Sequence, residues 1–320
     1  MYKFFFLINP VSGGGQGKSI YNFLPEIMES MGFDSEQWKA DFTQIENLEV
    51  QIQGALSSTE TLIAVGGDGT VSAVLSTMLD YDFYNKVKIG LIPLGTGNDL
   101  ARVLNLYKPF TDKGFLYLLR RLLLAKAKPF DIWKVNGKLA MANYFSSGID
   151  ARIAHDFNRD RAQGVFNSNS VLTNKIHYVK SFFADRSYRL RQGSLRYVDQ
   201  YGQTQAVLLE NHRTVIVGNI PSFASGTNPF YQSKVSDKLL EVVRVPNLAD
   251  FLLAIAIGNI PVVGHFFKKY FLKSTKVKSL ELEIPEDEFL QLDGEDLTRK
   301  LGNKVTIDFA CQVQMLTLPK

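Results

Sequence analysis

The chain has 320 residues, 45% apolar and 21% charged, with a formal net charge of +4. This composition excludes disordered and collagen-like classes, and the length exceeds one ordinary domain and suits two. The single cysteine, Cys311, excludes an internal disulfide and fits a reducing compartment; set in an apolar stretch, it reads as a buried structural thiol rather than a nucleophile.

Phe4 to Ile8 reads as a buried strand, Gly13 to Lys18 as a flexible turn and Ser19 to Met31 as a helix. The opening run is broken by Asn9-Pro10 too soon for a signal peptide or a membrane anchor. A second strand, Thr61 to Val65, ends at a glycine loop, and a helix follows through Val71 to Leu79. A third, Val87 to Pro93, ends at Gly95-Thr96-Gly97 and leads into a helix from Asp99 to Leu104; Leu116 to Ala127 makes another amphipathic helix. Strands alternating with helices predict a parallel sheet covered on both faces. After Pro129 the pattern changes to short strands (131–135, 195–198, 206–209, 215–217, 240–245 and 279–284), with one helical insertion over 170–185. The expected architecture is an α/β + β fold, with an amino-terminal parallel-sheet nucleotide domain over 1–128, joined by a returning segment 303–320, and a mostly antiparallel β domain over 129–302.

The charge is unevenly spread. Lys175 to Arg196 holds six Lys/Arg against one acid, and Lys268 to Lys278 holds five lysines and no acid. Such blocks suit an anionic surface or a solvated face. The stretch Phe251 to Phe267 is apolar, but it contains Asn259, Pro261, Gly264 and His265 and falls short of the roughly 20 residues a span needs. With the lysines that follow, it reads as an interfacial segment on anionic lipid or as a core helix. No nucleic-acid reader motif accompanies the basic blocks.

Three glycine loops each follow a strand: Asn9 to Lys18, Gly66 to Thr70 and Gly95 to Asn98. At such places helix-start N–H groups and the helix dipole favour an anion, and glycine lets phosphate approach. The first loop ends in Gly17-Lys18-Ser19, but Ser12 stands where a P-loop needs its first glycine. Asn9 and Ser12 instead offer an amide and a hydroxyl to a nucleotide. Asp68, between glycines, would repel phosphates unless it held Mg²⁺ or took a proton; as an alternative it forms a turn. Asp99 reads as a helix-start acid with Asn98 as its cap, roles compatible with facing a substrate.

These residues resemble the diacylglycerol kinase catalytic domain, within a superfamily that includes sphingosine, ceramide, bacterial lipid and NAD kinases. The likeness is carried by Asn9 to Gly14, Gly66 to Thr70, Pro93 to Arg102, Asn143 to Ala151, Ser225 to Asn228, Ser236 to Val243 and Leu292 to Glu295. The middle region is similar to the accessory half of the eukaryotic type, without a cysteine-rich zinc module or EF-hand loops. The resemblance implies nucleotide contacts at Asn9, Ser12, Gly13, Gly66, Gly67, Gly69 and Thr70, with Gly95, Thr96 and Asn98 in the third loop. It implies Asp68 and Glu295 near the transferred phosphate, where they would assist Mg²⁺ or accept a proton, with Asp99 helping. Asp237 matches the holder of a structural Mg²⁺, and Arg102 and Asp131 match a charge network.

The implied activity is ATP-dependent phosphorylation of the primary hydroxyl of diacylglycerol or a related lipid, with Mg²⁺; sphingoid or ceramide kinases, and then NAD kinase, are the alternatives. The implied partners are the lipid and an anionic membrane surface, with no nucleic acid and a homodimer left open. The implied setting is cytoplasmic and peripherally membrane-associated.

Overall fold

The structure, a computed structural model, describes residues 1–95, 97–162, 187–230, 232–247, 249 and 272–319. The chain divides into a first unit, residues 1–132 with 311–320, and a second unit, residues 133–310. In chain order the first unit runs through β1 (Phe4–Ile8), α1 (Gln16–Ser30), β2 (Trp38–Phe42), α2 (Leu48–Ser58), β3 (Thr61–Gly66), α3 (Asp68–Asp80), β4 (Lys88–Pro93), α4 (Asp99–Val103) and α5 (Tyr107–Leu122). With β5 (Lys126–Val135) the chain passes into the second unit, which holds β6 (Leu139–Met141), β7 (Tyr144–Gly148), α6 (Ile149–Ala162), β8 (Ser194–Asp199), β9 (Thr204–Leu208), β10 (Thr214–Gly218), β11 (Leu240–Val245), β12 (Lys273–Glu283), β13 (Leu290–Leu292) and β14 (Glu295–Asp296). β15 (Lys304–Thr317) carries the chain back.

In the first unit β1 and β3 are buried along their whole length, as a parallel sheet covered on both faces requires. The strand order is β15-β4-β3-β1-β2, every pair parallel. From β1 the chain goes outward to β2 on one side and returns to β3 on the other, so the order reverses between β1 and β3. Their carboxyl ends open a crevice where α/β sheets bind ligands. α1 covers the sheet with Ile20, Leu24 and Met28, one turn apart on its buried stripe. Cys311 is buried.

In the second unit the strand order β14-β13-β7-β10-β11-β12 is antiparallel throughout, and β8 pairs with both β12 and β9. β12 also pairs with the first half of β15, from Ser279↔Asp308 to Glu283↔Lys304. The period of 2 sends Phe145, Val215 and Val217 into one apolar core with Trp133 and Ile307, and Tyr144 and Ile216 into another with Ile149 of α6. Burial on both faces explains the apolar run Val215 to Val217 in β10.

Two expectations change. Gly114, at φ 81°, lets α5 begin at Tyr107 through a kink, and β5 starts at Lys126, inside the stretch expected to be helical. The expected insertion over 170–185 and the apolar stretch 251–267 lie outside the described residues. Among the described residues no helix is long and apolar enough to cross a membrane.

Candidate active site

The loops after β1, β3 and β4 lie side by side, because those strands are neighbours in register: Ile8 stands beside Val65, and Val65 beside Ile92. The Asn9 N–H donates to the Val65 carbonyl at 2.9 Å and the Leu94 N–H to the Gly66 carbonyl at 2.8 Å, locking each loop to the next. The second and third loops touch backbone to backbone, since a Cβ on Gly95 would lie 2.6 Å from the Gly67 Cα. In the first loop, a Cβ on Gly17 would fall 2.1 Å from the Asn9 carbonyl oxygen. These glycines are needed for close approach. Gly13, Gly14 and Gly15, at φ 63°, 66° and 95°, are needed for a left-handed path.

That path delivers the chain to the start of α1, and Gly67 delivers it to the start of α3. Neither start is capped by a side chain. Orphan N–H groups and the positive dipole end of two helices therefore lie at one edge of the sheet, an arrangement that fits phosphate. α3 begins at Asp68, so Asp68, Gly69 and Thr70, expected as loop, form its first turn. The Asn9 side chain closes a local turn, its Oδ1 accepting the Val11 N–H at 3.1 Å. Ser12 opens a 3-10 turn with exposed Gly13 and Gly14. Thr70 is buried, its hydroxyl lying over Gly66.

Asp68 Oδ2 accepts the Asn98 N–H at 3.0 Å, so the acid of the second loop holds the third. Asn98 stands at the cap position of α4 but does not cap it with its side chain. It is left-handed at φ 52°, and its amide donates to the Gly95 carbonyl. Asp99, the first residue of α4, is buried. Arg102 stacks on Tyr107, 3.7 Å from the ring centre, and its Nε donates to the Gly97 carbonyl at 3.4 Å. Asp131 is fully buried and accepts from the Gln312 amide at 2.8 Å. Thr96 lies outside the described residues.

In the second unit Glu295 is exposed on β14, the short strand of a hairpin with β13. Asp293 and Gly294, both left-handed at φ 51° and 92°, make its two-residue turn. The Asp293 carboxylate accepts the N–H groups of Ala142, Asn143 and Tyr144 at 2.8, 2.8 and 2.9 Å. It clamps the hairpin tip to the entry of β7. On the α6 side, Gln291 donates to Ser146 Oγ at 2.9 Å and to buried Asp150, and His155 Nδ1 lies 2.8 Å from Asp296 Oδ2. Asn158 donates to the Gly294 carbonyl at 3.3 Å. Asp296 would be raised by burial, but hydrogen bonds from Thr298 and His155 outweigh this and hold its carboxyl below the usual range. The Asp-Gly-Glu sequence reads as a turn from the sequence alone, and the structure makes it the tip of the β13–β14 hairpin. Nothing in the sequence marks the buried partners of Asp150.

Asp237 stands away from this hairpin. It precedes β11, and β13, β7 and β10 lie between β11 and β14. Its Oδ2 pairs with Lys276 Nζ and its Oδ1 accepts the Leu239 N–H at 3.2 Å. Lys276, counted above in a basic block suited to an anionic surface, is thus a mostly buried ion-pair partner.

The diacylglycerol kinase catalytic domain model matches residues 3–135 and the diacylglycerol kinase accessory domain model matches residues 140–296. Among curated proteins, the eye-specific diacylglycerol kinase of Drosophila melanogaster is 30% identical over 279 residues, covering 74% of this chain and 18% of that protein. Diacylglycerol kinase iota of Homo sapiens is 27% identical over 326 residues, covering 90% of this chain and 29% of that protein. The chain therefore spans less than a third of the length of either. A solved structure of a diacylglycerol kinase from Bacillus anthracis str. Sterne, 20% identical, superposes with a TM-score of 0.71 over 99% of this chain and 97% of that one, and so shares the fold.

Proposed function

The chain belongs to the diacylglycerol kinase family, and from that premise we propose that it transfers the γ-phosphoryl group of ATP to the primary hydroxyl of a diacylglycerol, giving phosphatidic acid and ADP. The observation that carries this is the edge of the first unit's sheet, where the second and third glycine loops touch and two helices start without a side-chain cap. Phosphoryl transfer requires positioning and charge neutralisation more than covalent help from the protein. The loops after β1 and β3 bind the triphosphate. Mg²⁺ bound with ATP supplies neutralisation of the developing charge.

In this reading Asp68 has a second duty besides holding the third loop through the Asn98 N–H: it would help hold the Mg²⁺ that comes with ATP. Asp99, at the start of α4, supports the same edge. Glu295, exposed on a hairpin whose tip is fixed by Asp293, accepts the proton of the lipid hydroxyl as the new oxygen–phosphorus bond forms and the β–γ bridging bond breaks. The acceptor lies in a bilayer, so the enzyme works on a membrane surface from the cytoplasm.

The test offers labelled ATP with diacylglycerol, ceramide, sphingosine, monoacylglycerol and NAD in anionic mixed micelles. Labelled phosphatidic acid is expected. Asp68→Ala should remove it while circular dichroism stays that of the parent. Label confined to NAD, or no lipid product, overturns the proposal.

A further inference from the structure

The resemblance places a structural Mg²⁺ at Asp237, and the residues around Asp237 do not fit one. Mg²⁺ requires octahedral oxygen ligands at about 2.0–2.1 Å. Both Asp237 oxygens already accept hydrogen bonds, Oδ2 from the Lys276 ammonium and Oδ1 from the Leu239 N–H. The ammonium is itself mostly buried, at 10% side-chain exposure, and a dication beside it would meet a like charge in a poorly solvated place.

The register shows why a lysine stands there. Lys276 of β12 is directly opposite Glu241 of β11, and Glu241 is fully buried. Glu241 accepts the Gln232 N–H at 2.6 Å through Oε2 and the Ser274 hydroxyl through Oε1. Two carboxylates thus flank the lysine, Asp237 in contact and Glu241 as its cross-strand partner. Asp237 also sets the turn into β11, since Lys238 follows it at φ 56°. A cation at this point neutralises the acids and fixes the path into a central strand.

We propose that the Lys276 ammonium is a built-in replacement for that metal, so that the second unit keeps its Asp237 turn without any divalent cation. The idea is independent of the kinase reading, and its test uses no activity. The full chain, free of nucleotide, is melted in EDTA and in Mg²⁺, and its binding of Mn²⁺ is followed by electron paramagnetic resonance.

The parent should melt at the same temperature in both buffers and bind no more Mn²⁺ than Asp237→Asn does. Lys276→Met leaves Asp237 without its cation and should lower Tm by about 3–6 °C. Adding Asp237→Asn to that variant should recover at least half of the loss. Lys276→Arg, which keeps the charge, should fold and remain indifferent to EDTA even where Lys276→Met does not fold. A parent that melts lower in EDTA, or that loses bound Mn²⁺ on Asp237→Asn, overturns the proposal; so does a Lys276→Met chain that melts like the parent.

Discussion

Replacing Asp293 by alanine removes one carboxylate that holds three backbone N–H groups within 2.9 Å. A hydrogen bond to a charged group contributes about 1.5–3 kcal/mol when measured singly. Three bonds sharing one carboxylate do not add in full, so the loss is about 3–5 kcal/mol. The left-handed φ of 51° adds to the penalty for alanine, by about 1 kcal/mol. For 320 residues, at about 2.1 cal/mol/K per residue, the sum corresponds to a fall in Tm of about 6–9 °C. Asp293→Asn separates charge from conformation: asparagine tolerates the left-handed turn and keeps one acceptor, so its loss is about 2–3 kcal/mol. Urea unfolding of both variants measures these losses, and kinetics on the asparagine variant adds a second reading. If Glu295 acts as proposed, kcat falls about tenfold while the KM for ATP stays put, because the glycine loops are untouched. An alanine variant that unfolds with the parent would refute the clamp, and an asparagine variant with a raised KM for ATP and an unchanged kcat would refute the division of labour.

Gly95→Ala places a Cβ 2.6 Å from the Gly67 Cα, a backbone atom, and 3.1 Å from Asn98 Oδ1. It should cost about 1–3 kcal/mol and weaken nucleotide binding at least about tenfold, read by calorimetric titration. Burial holds the Glu288 carboxyl above the usual range, against the Phe289 N–H and Arg152. Its folded value exceeds its unfolded one, so stability is greatest below the ordinary glutamate value of about 4.3 and falls as pH rises through the folded value. Glu288→Gln should therefore flatten that fall and be neutral or stabilising at pH 7, measured as unfolding free energy against pH. Asp296 has the opposite sign: its depressed carboxyl contributes stability above about pH 4 that is lost as pH falls through the folded value, and Asp296→Asn should remove that acid-side loss.

The glycine loops were readable because a glycine marks a place where backbone must come close or turn left-handed, and Gly17, Gly66 and Gly95 are crowded in this way. The strands Phe4–Ile8 and Lys88–Pro93, the second buried beyond its exposed first residue, were readable because a parallel strand covered on both faces is a nearly continuous apolar run. β2 was not, because it is a half-buried edge strand carrying Lys39 and Asp41, joined by a surface ion pair. α6 was hidden as well, because its charged residues lower the apolar signal. The duty of Asp293 was invisible for another reason. Its partners Ala142, Asn143 and Tyr144 are about 150 positions away in the chain, and no local pattern records a contact made only by folding. β5 runs through Pro129, and the first unit ends a few residues later, at Ile132.

The return of β15 sets an order of assembly. Gln314 and Met315 pair with Lys88 and Ile89 of β4, Leu316 packs against Gly90, and Asn105 donates to the Leu318 carbonyl at 2.9 Å. Until those residues leave the ribosome, β4 is an open edge with unpaired N–H and carbonyl groups, a template for pairing with other chains. Synthesis at about 5–20 residues per second delays closure by roughly 10–45 s after β4 emerges, while the whole second unit is made. The nascent protein thus carries its glycine loops on an unfinished sheet, and a chaperone that shields one strand edge would protect it longest where it is most exposed to aggregation.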